Sequence, residues 1–254
     1  MARDTDNLLI GIQAVATALK NSAKGLQRLR VVKGTDNQRV RDLSLLAEDA
    51  GIDVVYESRA HLDQLSGHAR HQDVIAELET SIEGEAELPE RLEAIEGDPL
   101  ILILDGVQDP HNLGACLRTA EAAGVHLVLA PKDRSAGLTA IARKTSAGAS
   151  EVIPFLQVTN LARVMRLLKD RGIWIVGTDD QAVQPLHERD LTGPLALVMG
   201  SEGQGMRRLT RELCDFTVRI PMAGVIESLN VSVATGVSLF EIVRQRLAGG
   251  SGSS

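Results

Sequence analysis

Aromatic residues are scarce in this chain of 254 residues, which holds three Phe, one Tyr and one Trp. Proteins that bind single-stranded RNA by stacking bases on aromatic side chains need several such residues on one surface. The composition therefore argues against a stacking platform. Any contact with RNA would have to rely on Arg, Lys and backbone donors.

Cysteine is rare and long apolar runs are missing. Cys116 and Cys214 give neither a metal-ligand spacing nor a disulfide framework. No apolar run approaches the ~20 residues that span a bilayer, and no basic stretch followed by an apolar one marks a signal peptide at the N-terminus. The six histidines are dispersed. We therefore expect a cytoplasmic protein with reduced thiols, no membrane contact and no metal.

The net charge of −7 is distributed unevenly. Residues 78–98 hold one Arg against eight acidic residues, whereas residues 1–77 hold 10 Lys and Arg against 11 Asp and Glu. Residues 99–254 hold 16 basic against 15 acidic residues. The short acidic segment has Gly and Pro near its edges, which predicts a linker. Because the flanking parts are nearly neutral, the global charge does not exclude a nucleic-acid-binding surface.

An α/β domain is predicted on each side of this linker. Residues 1–77 alternate short helix-like and strand-like segments and are long enough to fold alone. In residues 99–247, apolar strands alternate with helical segments, which favours a parallel sheet. The predicted strands are Leu100–Asp105, Leu127–Ala130, Val152–Phe155, Trp174–Thr178, Leu195–Met199 and Phe216–Ile220. The last residues, 248–254, resemble a flexible tail.

Three polar segments follow strands in the C-terminal part. They are DPHNLGACLR from Asp109, LVMGSEGQGM from Leu197, and IPMAGVIESLNVSVATG from Ile220. Asp109 and Pro110 predict the N-cap and first turn of a helix. Glycine-rich strand ends can bring the backbone close to a ligand, and ligands usually bind at the carboxyl ends of the strands in such sheets. These segments predict a pocket at that edge.

In order and spacing, the three segments resemble the motifs of the SpoU (TrmH-type) RNA ribose methyltransferases of the SPOUT superfamily. The resemblance covers roughly residues 100–246. It implies a sheet with a C-terminal trefoil knot, a topology that sequence patterns alone would not suggest. It also implies S-adenosylmethionine as the cofactor and a homodimer formed by the C-terminal domain. The N-terminal domain fits the RlmB-like branch, which methylates a guanosine ribose in large-subunit (23S) ribosomal RNA.

The resemblance and the pattern together give two sets of site residues. The expected cofactor-binding residues are Thr178, Met199, Gly200, Ile220, Met222 and Leu229. The expected catalytic residues are Asn112, Arg118, Glu202, Ser228 and Asn230. Arg118 lies one turn after small residues, so its guanidinium could pass its own helix and stabilise a ribose 2′-alkoxide. Glu202 could orient Arg118 or accept a hydrogen bond, and Asn230 or Ser228 would cap the last helix.

The N-terminal domain is expected to bind RNA. Its candidates for phosphate contacts are Arg28, Arg30, Lys33, Arg39, Arg41, Arg70 and His71. Asp73 stands where the resembled family usually has glycine, so the turn at 70–73 is expected to differ.

Two other functions remain open. The same chemistry on transfer RNA is the nearest alternative, although the N-terminal domain argues mildly against it. A non-catalytic RNA-binding protein of the same fold is the second, although all three motifs keep their polar residues. A nucleotide-binding oxidoreductase is disfavoured because no GxGxxG follows a strand.

Overall fold

The computed structural model describes residues 8–21, 25–78 and 85–250. Parts of the predicted linker and of the predicted tail lie outside these ranges. In chain order the elements are β1 (Leu8–Ile10), α1 (Ile12–Asn21), β2 (Leu26–Val32), α2 (Gln38–Asp49), β3 (Asp53–Glu57), α3 (Arg59–Leu65), β4 (Val74–Leu78), α4 (Leu88–Glu93), β5 (Leu100–Asp105), α5 (Pro110–Ala122), β6 (Leu127–Pro131), α6 (Ala140–Ser146), β7 (Phe155–Val158), α7 (Leu161–Asp170), β8 (Trp174–Thr178), β9 (Leu195–Gly200), α8 (Arg208–Leu213), β10 (Phe216–Val218) and α9 (Val231–Gly250).

The described residues fall into two compact units. The first contains a four-stranded sheet of order β1-β4-β2-β3, in which β2 and β3 run parallel and the other pairs antiparallel. Apolar side chains of α1 and α2 pack on this sheet, with Val15 and Val40 fully buried against Leu29 and Ala76. The strand β1 has three residues, too few for an alternating pattern, and sequence analysis did not identify it.

Residues 137–152 also belong to the first unit, although both flanking segments belong to the second. Ala140 of α6 joins a small buried cluster with Leu8, Ile10 and Leu62. The sequence pattern assigned this helix to the C-terminal domain at 99–247. An amphipathic period identifies a helix but does not identify the sheet on which it packs.

The second unit is built on a six-stranded sheet of order β10-β8-β9-β5-β6-β7. Every neighbouring pair is parallel, which confirms the predicted α/β class with a parallel sheet. All six residues of β5 are buried, as expected of a strand covered on both faces. The trefoil knot stays a prediction.

The predicted strand Val152–Phe155 was wrong, because β7 begins at Phe155 and runs to Val158. Val152 instead ends a short 3₁₀ turn, Ala149–Glu151, and Pro154 has no N–H for a ladder bond. Similarly, β10 ends at Val218, short of the predicted Ile220.

The described part of the acidic segment packs on the second unit. Leu88 and Leu92 of α4 are buried in its core. Glu85 accepts hydrogen bonds from the backbone N–H of Thr159 at 3.1 Å and from Nε of Arg163 at 3.0 Å. These contacts, with its backbone hydrogen bonds, hold the pKa of Glu85 below its usual range despite the opposing desolvation. Residues 85–93 are therefore part of the second unit.

Candidate active site

A cleft of about 620 Å³ lies in the second unit, where β8, β9 and β10 end. These strands are neighbours in the sheet, so their carboxyl ends meet at one edge, where parallel α/β sheets bind ligands. The N-terminus of α9 completes the wall. All six residues expected to bind the cofactor line this cleft: Thr178, Met199, Gly200, Ile220, Met222 and Leu229.

A tight loop, residues 201–205, forms one wall of the cleft. The backbone N–H of Ser201 donates to the carbonyl of Gly205 at 3.0 Å, and the N–H of Gly205 donates back to Ser201 at 2.9 Å. Gly203 and Gly205 have φ angles of 76° and 65°, which glycine adopts without steric cost. The loop is thus closed by its own backbone.

Gly200 is constrained by this loop. A Cβ at position 200 would lie 2.2 Å from the carbonyl carbon of Gly205 and 2.3 Å from the nitrogen of Met206. Sequence reasoning attributed the missing side chain to the approach of a ligand. In the structure, the space is taken by the backbone of the loop itself.

Glu202 connects the loop to two helix N-termini. Its Oε1 accepts from Nδ2 of Asn112 at 3.0 Å and from Nδ2 of Asn230 at 2.5 Å. The backbone N–H of Val231, the first residue of α9, lies 3.4 Å from the same oxygen. Asn230 also donates to Oδ1 of Asn112 at 3.0 Å. A negative charge is favourable at a helix N-terminus, so this network holds α5, α9 and the loop together.

Asn230 is the N-cap of α9. Its Oδ1 accepts from the backbone N–H of Ser232 at 2.9 Å and from the Ser232 hydroxyl at 2.6 Å. Of the two predicted capping residues, the structure selects Asn230, while Ser228 lies exposed on the cleft wall. Ser228 is therefore available to a ligand, whereas the Asn230 side chain is fully engaged.

The structure does not bring Arg118 to the other four expected catalytic residues. It lies exposed on α5, does not line the cleft, and makes no ion pair with a residue in the described ranges. The helix itself begins as predicted, with Asp109 accepting from the N–H of His111 at 2.8 Å and Pro110 in the first turn. Glu202 bonds to Asn112 and Asn230 and does not orient Arg118.

Asp105 supports the glycine loop from outside the cleft, and sequence reasoning did not identify it. Its side chain is fully buried at the end of β5, accepts from the backbone N–H of Arg207 at 2.9 Å, and lies 3.3 Å from Nε of Arg207. This carboxylate fixes the chain directly after the glycine loop. The sequence feature that could have identified Asp105 is a charged residue at the end of an otherwise apolar strand.

The two cysteines do not offer nucleophiles near neutral pH. Burial raises the pKa of the Cys116 thiol to about 11 and that of the Cys214 thiol to about 12. Both thiols therefore remain protonated near neutral pH, whereas the thiolate is the reactive form.

Among the described residues, no cluster of His, Cys, Asp and Glu is arranged to hold a metal ion.

In the first unit, several predicted phosphate contacts are engaged elsewhere. Arg28 pairs with Asp53, Arg30 pairs with Glu57 and Glu77, and His71 is buried. Arg41 donates to the Asp36 carbonyl. The side chains of Lys33, Arg39 and Arg70 are exposed and make no ion pair within the described ranges.

Comparisons with known proteins agree with this arrangement. Residues 99–240 match the SpoU rRNA methylase family, and residues 8–83 match the family of RNA 2′-O ribose methyltransferase substrate-binding domains. The chain is 52% identical over 239 residues to the 23S rRNA (guanosine-2′-O-)-methyltransferase RlmB of Ralstonia nicotianae, covering 94% of this chain and 96% of that protein. It is 54% identical over 237 residues to the protein of that name from Pseudomonas aeruginosa, covering 93% and 95%.

A solved structure supports the same fold. The SpoU methyltransferase AviRb from Streptomyces viridochromogenes, in complex with AdoMet, matches with a TM-score of 0.83 at 25% identity. The match covers 95% of this chain and 90% of that chain.

In the described part of the chain, every helix is too short or too polar to cross a membrane.

Proposed function

Because this chain belongs to the SpoU rRNA methylase family, we propose that it methylates the ribose 2′-hydroxyl of a guanosine in 23S ribosomal RNA, with S-adenosylmethionine as methyl donor. Relatives that share about half of its residues over nearly their whole length are named for this reaction. The observation that carries the proposal is the cleft in which all six expected cofactor residues meet. A ribosomal RNA substrate also implies a cytoplasmic protein.

The lining of the cleft suits an adenosine-bearing cofactor. Met199, Ile220, Met222 and Leu229 offer apolar surface for the base, and nearby backbone groups can satisfy its polar edge. When bound, S-adenosylmethionine supplies a methyl group activated by the sulfonium sulfur. The network centred on Glu202 keeps the loop and the start of α9 in place around the cofactor.

The remaining requirement is to stabilise the 2′-oxygen as it loses its proton. Arg118 is a permanent cation and is not neutralised by an ion pair in the described ranges, so we assign it this role. Ser228 is one of the exposed polar residues that line the cleft and is our candidate for a contact with the ribose. Asn112, Glu202 and Asn230 position the cleft through their mutual hydrogen bonds.

Mapping the modified nucleotide tests the proposed function. The protein is incubated with S-adenosylmethionine carrying a labelled methyl group, with 23S rRNA and tRNA in separate reactions, and the labelled ribose is located by nuclease digestion. We expect label on one guanosine of 23S rRNA. Label on tRNA alone would establish the transfer RNA alternative, and the absence of label on both RNAs would favour a non-catalytic binding protein.

Gly200→Ala is expected to lower the affinity for S-adenosylmethionine at least about 10-fold, because the new methyl group displaces the loop backbone at 205–206. Titration calorimetry measures the change. Gly193→Ala is the matched control, since its Cβ would meet open space. Equal affinity in the two variants would remove the loop from the cofactor site.

An exposed apolar stripe on α9 supports a homodimer. Val233, Val237, Phe240 and Leu247 are between 43% and 70% exposed, and their spacing places them on one helix face. Contiguous exposed apolar surface of this kind marks interaction sites. We propose that two copies pair through this face of the second unit.

Phe240→Lys is expected to convert the dimer into a monomer, because a charge would be buried in the interface without a partner. Light scattering at micromolar concentration measures the mass. Val183→Lys changes a side chain that is 92% exposed outside the stripe and should leave the dimer intact. A wild-type protein of monomeric mass would contradict the proposal.

A further inference from the structure

A second cleft, of about 430 Å³, lies within the first unit. Asn37 at the start of α2, Arg59 at the start of α3 and the loop 68–73 line it. Apart from one alanine, every lining side chain is polar. Such a lining is suited to a ligand held by hydrogen bonds and charge rather than by apolar burial.

Asp73 organises this cleft. Its carboxylate accepts from Arg59 at 2.5 Å and from the hydroxyl of Thr35 at 2.8 Å, so it ties the starts of α2 and α3 to the loop. The backbone of Asp73 has a φ of 69°, the left-handed conformation that glycine adopts freely. Asp73 thus adopts a backbone conformation that is unusual for a residue with a side chain, and its carboxylate places Arg59.

The loop is further fixed by His71, which is 3% exposed. Its Nδ1 accepts from the backbone N–H of Asp73 at 3.1 Å, so Nε2 carries the hydrogen and donates to Asp63 at 3.0 Å. His68 and Gln72 also have positive φ angles, of 65° and 53°. Residues in this conformation persist where the surroundings hold them firmly, and they are enriched at ligand clamps.

Three of the lining groups are donors that a ligand in the cleft could reach. The Arg70 side chain is exposed and has no ion pair within the described ranges. Arg59 is held by Asp73 but keeps 62% of its side chain exposed. Asn37 uses its Oδ1 to cap α2, which leaves its Nδ2 as a donor. Guanidinium groups bind phosphates and stack on bases, and amide groups bind base edges.

We propose that this cleft receives one unstacked nucleotide of the substrate RNA, held by Arg59 and Arg70, with Asn37 on the edge of its base. The proposal rests on the proposed function and adds a nucleotide subsite to it. The chain is poor in aromatic residues, so arginine replaces them as the stacking surface.

Two cleft variants and one control test this subsite. Arg70→Ala removes the exposed cation, Asn37→Ser removes Nδ2 but keeps a capping oxygen, and Lys20→Ala removes an exposed charge that does not line the cleft. Affinity for a 23S rRNA transcript is measured over a range of salt concentrations. Single-turnover methylation is measured at saturating RNA.

We expect Arg70→Ala to weaken RNA binding about 10-fold and to flatten the dependence of log K on log salt by about 0.7. Asn37→Ser should weaken binding several-fold with the salt dependence unchanged, because a base contact releases no counterion. The Lys20→Ala control should bind RNA like wild type and should retain the wild-type single-turnover rate. Wild-type affinity in both cleft variants would overturn the subsite while leaving the proposed function intact. By contrast, a wild-type protein that fails to methylate 23S rRNA would remove the proposed function.

Asp73→Gly provides a variant that does not strain the fold, since glycine accepts the same φ. It removes the anchor of Arg59 and Thr35. We expect weaker RNA binding, because Arg59 is no longer held in place at the cleft. Unchanged RNA affinity in this variant would contradict the placement of Arg59 in the subsite.

Discussion

Arg118→Ala is expected to lower the single-turnover methylation rate about 10²–10³-fold, the usual cost of one preorganised donor. Negative charge develops on the 2′-oxygen mainly in the transition state, so the affinity for S-adenosylmethionine should remain nearly unchanged. Arg118 does not line the cleft, so its replacement by alanine should remove no contact with the cofactor.

Two companion variants sharpen the test. Arg118→Lys keeps the charge but loses the planar fork, and should restore part of the rate. Arg208→Ala removes another exposed helix arginine, with 86% of its side chain accessible, and should behave like wild type. If Arg118→Ala weakens RNA binding but retains the rate at saturating RNA, the residue binds phosphate and is not catalytic.

Glu202→Ala is expected to lower the affinity for S-adenosylmethionine about 10- to 100-fold. The carboxylate is the shared acceptor for Asn112, Asn230 and the first N–H of α9, and charge-assisted hydrogen bonds are stronger than neutral ones. Without it, the loop and the start of α9 lose their connection. Glu202→Gln should give a smaller loss, because the amide oxygen is a weaker acceptor.

Calorimetry and thermal unfolding together test this role. Glu202 is exposed, so the melting temperature should change little while the dissociation constant for the cofactor rises. Glu212→Ala, which removes an exposed carboxylate paired with Arg208, is the control. Combining Glu202→Ala with Asn112→Ala should weaken the binding free energy of the cofactor by less than the sum of the two single effects. An additive result would show that the hydrogen bond does not link the two residues energetically.

Features with a local signal were predictable from the sequence. The bounds of β5 agree with the apolar run at 100–105, and the start of α5 agrees with the capping signal of Asp109 and Pro110. The six residues expected to bind the cofactor line one cleft, which fits the rule that parallel strands bring their carboxyl ends to one edge. The order of the three motifs indicated the family, and the family matches confirm it.

Contacts between distant residues were not predictable. Asn112 is 90 residues from Glu202 and 118 residues from Asn230 in the sequence. Their spacing therefore does not indicate that the three side chains are in contact. The steric demand at Gly200 and the burial of Asp105 also depend on how the loop folds back on its strand. The sequence shows that position 200 is small and that position 105 is charged, but only the fold shows the contacts that require this.

The return of residues 137–152 to the first unit has a consequence for protein synthesis. Domains of a growing chain generally fold as they leave the ribosome, N-terminal first. Here the cluster of Leu8, Ile10 and Leu62 cannot close over Ala140 until α6 has emerged, and by then β5, α5 and β6 have already been made. The two units therefore mature in an interleaved order, and a nascent chain that stops at residue 136 holds every strand of the first unit but not its complete core.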